Sequence, residues 1–348
     1  MAQKKHAVYR PWIGAAALLG VLGWPFPDET NGQDQAPDAA PVSSSPLDNA
    51  TAWTDQHLFH QWRIQQHVNT LECRLLDEDD KTQARGSFAA CLAELERIKR
   101  ERNLEPMRGK GVLLLHGLAA PRWSMQLLAN YLHKHGGYHA WVVEYASTRS
   151  TIDDHARGLA NVVRSLEGIE EINLVGHSLG NIVIRRYLAG DDTPRQGWRP
   201  DPRIGRIVMI APPNHGSITA TRLSDNMVFK KLFGESGRQL GIEWEDLETR
   251  LATPNVEFGI IAGGFGNQLG LSLSVPGDDD GRISVGTTRL AGATDFIVVS
   301  AVHEFIANDP RVFALTTRFL TAGYFESPEK RQRIPLTYVA DRPEAELR

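Results

Sequence analysis

The residues best suited to chemistry lie at Gly176–Gly180, within the stretch INLVGHSLGNIVIRRYL (172–188). An apolar run ends there in a serine between two glycines, and an apolar pattern at helical spacing follows. A serine on a sharp strand-to-helix turn has strained backbone angles, and the flanking glycines let the chain reverse closely. Such a turn lifts the Ser178 hydroxyl clear of the sheet as a nucleophile. A glycine-rich turn without chemistry is the alternative.

A hydroxyl at neutral pH is a poor nucleophile, so the chemistry needs a base and an acid that orients the base. His303 follows the apolar run DFIVVS, and no other histidine lies beyond His215. Three consecutive acids stand in GDDDGRISV, at positions 278–280. We select Asp280, because Asp-Gly-x-aliphatic is a pattern in which an acid leads into a short extended piece. Asp279 is the alternative acid, and a solvated or calcium-binding acidic loop is the alternative interpretation of all three.

A tetrahedral oxyanion needs two backbone donors. Leu179, the residue directly after the serine, supplies one N–H group. We assign the second to Leu118, because His116 and Gly117 in LLLHGL let the backbone turn close to the site. A tight turn with no such role is the alternative interpretation of the His-Gly pair.

The elements that position these residues alternate regularly from Gly111 onward. Short apolar runs that read as strands are separated by segments at helical spacing. The apolar runs are GVLLLHG, HAWVVEY, INLVG, RIVMIAP, EFGIIAG and DFIVVS. Strands that are apolar on both faces and alternate with helices predict an α/β protein, with a mostly parallel central sheet covered by helices on both faces.

Five motifs in this order resemble the α/β-hydrolase superfamily, specifically serine hydrolases of the bacterial lipase and esterase type. The motifs are LLLHGL, GHSLGN, IAPPNHGS, DDDGRISV and VHEF. The resemblance covers about residues 109–322 and implies Ser178 as nucleophile, Asp280 as acid and His303 as base. It also implies Leu118 and Leu179 as oxyanion donors, and we expect a small cap at 217–241. Asn181 departs from the family, which usually has a small residue there.

The leading hypothesis is therefore a serine hydrolase that cleaves carboxylic esters through an acyl-enzyme, with no cofactor or metal. Its expected partner is a small-molecule or lipid ester. An acyltransferase or thioesterase with the same residues is one alternative. A non-catalytic interaction module of the cell envelope is another.

Four segments flank the predicted catalytic domain at 109–322. Residues 1–25 join a basic start to thirteen largely apolar residues. This pattern is typical of a secretory signal, since a spanning helix needs about twenty apolar residues. It predicts export to the periplasm, envelope or outside, and a retained segment would anchor the chain to a membrane. A disordered linker (26–50), an N-terminal extension (51–108) and a C-terminal tail (323–348) complete the chain.

Charge and cysteine content narrow the function classes further. The formal net charge is −4, which gives no basic footprint for nucleic acid. Cys73 and Cys91 are the only cysteines, and in an exported chain they could form a disulfide. Two cysteines without clustered histidines disfavour a structural zinc site.

Overall fold

Residues 52–108 form a small antiparallel sheet and one helix. The structure, a computed structural model, describes residues 52–194, 197–223, 227–267 and 269–340. The four strands, which pair in chain order, are β1 (Trp53–Phe59), β2 (Trp62–His67), β3 (Cys73–Leu76) and β4 (Thr82–Gly86). The structure thus gives the predicted N-terminal extension a sheet of its own.

Helix α1 (Phe88–Glu101) follows this sheet. The Ser87 hydroxyl accepts the N–H of Ala90, which satisfies one of the free donors of the first turn. Leu95 and Ile98 are buried along one side of the helix. Helix α1 thus begins at a side-chain cap and turns an apolar side inward.

Six parallel strands form the central sheet. In chain order they are β5 (Gly109–Leu115), β6 (His139–Val143), β7 (Ile169–His177), β8 (Ile204–Ile210), β9 (Phe258–Gly263) and β10 (Asp295–Val299). Their spatial order is β10-β9-β8-β7-β5-β6, and every neighbouring pair is parallel. The loop after β7, which carries Ser178, therefore leaves the interior of the sheet.

Helices cover both faces of this sheet. The helices that follow α1 are α2 (Gln126–Gly136), α3 (Ile152–Ser165), α4 (Leu179–Ala189), α5 (Ile218–Leu223), α6 (Met227–Leu240, kinked at Gly234), α7 (Trp244–Glu248), α8 (Val285–Thr288) and α9 (Pro310–Ala322). Thr151 and Asp154 form a reciprocal capping box at the start of α3. Asp309 caps α9, whose first residue is Pro310. Side-chain caps therefore fix where both helices begin.

Two apolar clusters lie on the two faces of the sheet. Leu113 and Leu115 of β5 belong to one cluster, together with residues of α3, α4 and the N-terminal sheet. Val112 and Leu114 belong to the other, with residues of α2 and α9. Because alternate residues of a strand point to opposite faces, β5 contributes to both clusters. The predicted α/β class with helices on both faces is confirmed.

The C-terminal segment packs along the start of β10. Asp295 is buried, and its two carboxylate oxygens accept the N–H groups of Phe325 at 2.7 Å and Gln332 at 2.8 Å. Phe325 and Ile334 are themselves buried. Part of the predicted tail thus belongs to the packed fold.

Several predictions concern residues outside the described ones. These are the signal or anchor at 1–25, the linker at 26–50 and, with them, export and membrane attachment. The cap at 217–241 contains helices α5 and α6, but the side chains of Met227, Val228, Phe229 and Leu232 lie outside the described part. Among the helices that the structure describes, none is both long and apolar enough to cross a bilayer.

The two cysteines are present as buried thiols rather than as a disulfide. Cys73 lies on β3 and Cys91 on α1, and neither is exposed. Burial raises the pKa of the Cys73 thiol to about 11, and the pKa of Cys91 is raised by the same cause. Since the thiolate is the reactive form, both groups should be inert in the folded protein.

The assignment of two buried thiols can be tested by titration with a chromogenic disulfide reagent at pH 8, in protein purified without reductant. We expect no reaction in the native state within the time that a small thiol needs for complete reaction, and two thiols per chain after denaturation. Zero thiols after denaturation would show a disulfide and contradict the assignment, as would rapid reaction of the native protein.

Candidate active site

Ser178 occupies a strained turn between β7 and α4. Its backbone angles are φ 52° and ψ −121°, a left-handed region that costs about 1–3 kcal/mol for a residue with a side chain. The Ser178 N–H donates to the carbonyl of Ile210 at 3.0 Å, so the turn is tied to the end of β8. The predicted sharp strand-to-helix turn is present.

The two glycines of the motif are required by close approach. A Cβ on Gly180 would overlap the carbonyl oxygen of Leu115, because the first turn of α4 lies directly against the end of β5. A Cβ on Gly176 would collide with Asn181 on the opposite side of the turn. Any larger residue at either position would push the helix away from the sheet.

Asn181, which departs from the resemblance, is an internal brace of this turn. Its side chain is fully buried, and Nδ2 donates to the carbonyls of Ser178 at 3.1 Å and Ile210 at 3.0 Å. Hydrogen bonds of this kind hold a strained backbone that would otherwise relax. The structure therefore gives Asn181 a supporting role inside the turn.

The structure brings Ser178, His303 and Asp280 together. His303 Nε2 lies 3.0 Å from the Ser178 hydroxyl oxygen, and His303 Nδ1 lies 2.7 Å from Asp280 Oδ2. A carboxylate accepts, so Nδ1 carries the proton and Nε2 is left to accept from the serine hydroxyl. The His303 N–H also donates to the Asp280 carbonyl at 2.9 Å, so backbone and side chain both hold this pair in register.

Backbone donors hold the Asp280 carboxylate in place. Its second oxygen, Oδ1, accepts the N–H groups of Arg282 at 3.0 Å and Ile283 at 2.8 Å. Asp280 is fully buried, and these bonds leave Oδ2 directed at His303. The acid chosen from the sequence therefore has the geometry of an orienting group.

The neighbouring acids bind the preceding loop instead. Asp279 accepts the N–H groups of Ser272 at 3.1 Å and Gly281 at 2.6 Å. Asp278 accepts those of Phe265 at 2.6 Å and Gly266 at 2.9 Å. Within the described ranges, no group of three or more His, Cys, Asp or Glu side chains is arranged to hold a metal ion.

The loop after β5 presents a free amide beside the serine. The carbonyl of Gly117 accepts from the Ala120 N–H at 3.2 Å and from His116 Nδ1 at 2.9 Å. The Gly117 carbonyl and the Leu118 N–H belong to the same trans peptide and point in opposite directions. The Leu118 N–H is therefore directed away from Ala120 and the His116 ring. Gly117 itself lies against Ser178, since a Cβ there would come within 3.3 Å of the serine Cβ.

Two N–H groups near Ser178 have no acceptor among the described residues. Throughout the part of the chain that the structure describes, neither Leu118 N–H nor Leu179 N–H donates to a protein group. Leu179 begins α4, so its N–H belongs to the positive end of the helix dipole. Both predicted donors are thus available to bind an anion.

His177, whose role the sequence did not indicate, connects the serine turn to the histidine loop. Its Nε2 donates to the carbonyl of His303 at 3.0 Å. Burial and, to a smaller extent, the neighbouring His303 lower the pKa of His177 to about 3. A neutral His177 can therefore hold the loop of His303 without adding a charge. A buried histidine inside a glycine-rich motif carries no sequence signal for such a contact.

The chain belongs to the alpha/beta hydrolase family, whose model matches residues 112–323, more than half of its length. Family membership supports a hydrolase activity. A search of curated proteins finds no match to this sequence.

Solved structures with a similar fold include lipases. The propeptide form of Bacillus licheniformis lipase BlEst2 is 19% identical, with a TM-score of 0.50, over 68% of this chain and 54% of that one. Its mature form is 18% identical, with a TM-score of 0.45, over 63% and 94%. Aspergillus fumigatus lipase B is 13% identical, with a TM-score of 0.41, over 65% and 57%. The chain thus matches about half the length of the propeptide form, and at these identities the likeness concerns the fold.

Buried neutral histidines predict a loss of stability in acid. His155, whose Nε2 lies 3.0 Å from Ser236 Oγ, has a pKa lowered by burial to about 3, as has His177. The unfolded chain binds these protons below about pH 6.5, whereas the folded chain does not until about pH 3. Each histidine therefore lowers the free energy of unfolding by about 1.4 kcal/mol per pH unit as the pH falls through this window.

We expect His155→Gln to reduce the slope of the unfolding free energy against pH between pH 6 and 4. The reduction should approach about 1.4 kcal/mol per pH unit, the contribution of one histidine, and urea denaturation at several pH values measures it. His135→Gln changes an exposed histidine on α2 and is the matched control. An unchanged slope in His155→Gln would contradict the neutral, buried assignment.

Proposed function

We propose that this protein is a serine hydrolase that cleaves carboxylic esters through an acyl-enzyme. The observation that carries the proposal is the continuous relay from Ser178 Oγ to His303 Nε2 at 3.0 Å and from Nδ1 to Asp280 at 2.7 Å. The serine stands on a strained turn at the carboxyl edge of a parallel sheet, where ligands bind in open α/β folds.

In the proposed reaction, Ser178 Oγ attacks the ester carbonyl while His303 Nε2 takes the hydroxyl proton. Asp280 stabilises the imidazolium and keeps its tautomer. As the tetrahedral intermediate collapses, the bond to the alcohol breaks and His303 returns the proton to the departing oxygen. Water then repeats the same steps on the acyl-enzyme, which releases the acid and restores the serine.

The free N–H groups of Leu118 and Leu179 are the proposed donors to the oxyanion. A donor of this kind contributes about 3 kcal/mol to stabilisation of the transition state. The bonds that fix the Gly117 carbonyl support a hole that is formed before substrate binds, so that no peptide has to flip during the reaction.

Exposed apolar side chains support an ester with an apolar acyl part. Trp123, Leu273 and Phe305 are 73%, 95% and 67% exposed. They lie on the loops that follow β5, β9 and β10, and the carboxyl ends of parallel strands meet at one edge of the sheet. Each methylene group that such a surface removes from water is worth about 0.8 kcal/mol.

The first test is covalent labelling by a fluorophosphonate, which reacts with activated serines. We expect rapid labelling of the wild type and none of Ser178→Ala, because the hydroxyl is the group that forms the bond. A panel of aryl esters should then show kcat/KM rising from acetyl to hexanoyl chains. A folded wild type that does not label would contradict the mechanism; labelling without turnover of any ester would restrict the enzyme to another acyl acceptor or leaving group.

The choice of acid gives a second prediction. Asp280→Asn should lower kcat about 10⁴-fold, since the amide favours the wrong histidine tautomer. Asp279→Asn is the matched control, because an amide oxygen can still accept from Ser272 and Gly281, and it should change kcat less than tenfold. Circular dichroism checks folding of both variants. A larger loss in Asp279→Asn than in Asp280→Asn would reverse the assignment.

A further inference from the structure

The N-terminal sheet contacts the catalytic domain at the segment that follows β6. The Asp55 N–H donates to the carbonyl of Glu144 at 2.9 Å, and Asp55 Oδ2 accepts the Glu144 N–H at 2.7 Å. One residue earlier, Thr54 Oγ1 accepts the N–H of Ala146 at 3.3 Å. Strand β1 therefore holds alternate backbone groups of the segment 144–147.

The intervening residues of that segment reach the loop of the proposed oxyanion donor. The Tyr145 hydroxyl donates to the carbonyl of His116, and the two rings stack at 4.2 Å. Ser147 Oγ accepts the N–H of Ala119 at 3.1 Å. One side of the segment thus binds the N-terminal sheet and the other binds residues 116–119.

This second contact falls on strained backbone. Ala119 has a φ of 56°, a conformation that a residue with a Cβ keeps only when its surroundings hold it. The Ala119 N–H donates to Ser147 Oγ, and this bond helps to hold that conformation. Release of the segment 144–147 would let Ala119 relax, and the Leu118 N–H one residue earlier would turn with it.

The Asp55 side chain is buried and held in place by neighbouring polar side chains. It is fully buried, and its other oxygen accepts from Gln65 Nε2 at 2.8 Å. Gln65 in turn accepts from Arg74 at 2.7 Å, and Arg63 lies 3.8 Å from Asp55. Asp55 pairs with Gln65 of β2, and the register between the two strands shifts directly after it, between Asp55 and His57. Such irregularities re-aim side chains.

We infer that the N-terminal sheet positions the oxyanion loop, with Asp55 as the positioning residue that acts through Tyr145 and Ser147 on Leu118. This role rests on the proposed function, because it supports the donor that binds the oxyanion. It also gives residues 52–86 a catalytic consequence although none of them belongs to the triad.

The kinetic test compares Asp55→Ala, Thr54→Val and Tyr145→Phe in the full chain. Rates are expressed per active site titrated with a fluorophosphonate, so that unfolded protein does not count. We expect kcat to fall about tenfold in Asp55→Ala and Tyr145→Phe, and less in Thr54→Val, with KM within twofold of the wild type. The inhibition constant of butylboronic acid, whose serine adduct is tetrahedral and anionic, should rise in proportion.

Asp77→Ala is the matched control, because this carboxylate accepts the N–H groups of Asp79 and Lys81 in the β3–β4 hairpin of the same sheet. It should lower stability without changing kcat per active site. The double variant Asp55→Ala with Tyr145→Phe should lose little more than either single variant, since both break one path. Unchanged kcat in Asp55→Ala and Tyr145→Phe, or equal loss in Asp77→Ala, would overturn the inference.

Hydrogen exchange separates this inference from the proposed function, because it needs no turnover. We expect the amide of Ala119 to exchange at least tenfold faster in Asp55→Ala than in the wild type, and at the wild-type rate in Asp77→Ala. If Asp55→Ala does not fold, Thr54→Val and Tyr145→Phe carry the same measurement. Unchanged exchange at Ala119 in these variants would refute the positioning role whether or not the protein hydrolyses esters.

Discussion

The close approach of α4 to the end of β5, with Ser178 held at positive φ between β7 and the helix, is the constraint on which the rest of the site depends. The strained turn is stable because its surroundings determine it on three sides. Gly180 lets the helix touch β5, the Ser178 N–H binds β8, and Asn181 binds both the turn and β8. These contacts offset a local strain of about 1–3 kcal/mol and fix where the serine hydroxyl can point.

The other two side chains of the relay come from loops that belong to strands on one half of the sheet. These loops are joined to each other by a backbone hydrogen bond and to the serine turn by the His177 side chain. His303 donates from its N–H to Asp280 and accepts at its carbonyl from His177. The 2.7 and 3.0 Å side-chain contacts therefore rest on main-chain groups that the fold already holds in place. Forming them costs less conformational entropy than ordering long, flexible side chains would.

The sequence predicts the features that depend on local pattern. Apolar runs at strand length and glycines around Ser178 predict the sheet and the turn, and strand order along the chain places His303 and the acids at one edge. Long-range contacts have no such signal. The N-terminal strands are too short for periodicity to separate them from helices, and in WTDQHLF nothing distinguishes Asp55, whose partner Glu144 lies 89 residues away. Asn181 and Asp279 likewise differ from their neighbours only through contacts that form after folding.

The N-terminal sheet also resolves a problem that the parallel sheet creates. Strand β6 is an edge strand, and an uncovered edge exposes unpaired backbone groups. Strand β1 pairs with the chain just beyond β6, and the indole of Trp141 in β6 donates to the carbonyl of His60 at 2.5 Å. Backbone pairing alone would be enough to cover this edge. A buried carboxylate costs desolvation free energy that an apolar residue would avoid. Burial accordingly raises the pKa of Asp55. Asp55 is such a costly group, and it contacts the segment that leads to the loop of Leu118. Its burial there is better explained by a demand on the position of that loop than by edge protection alone.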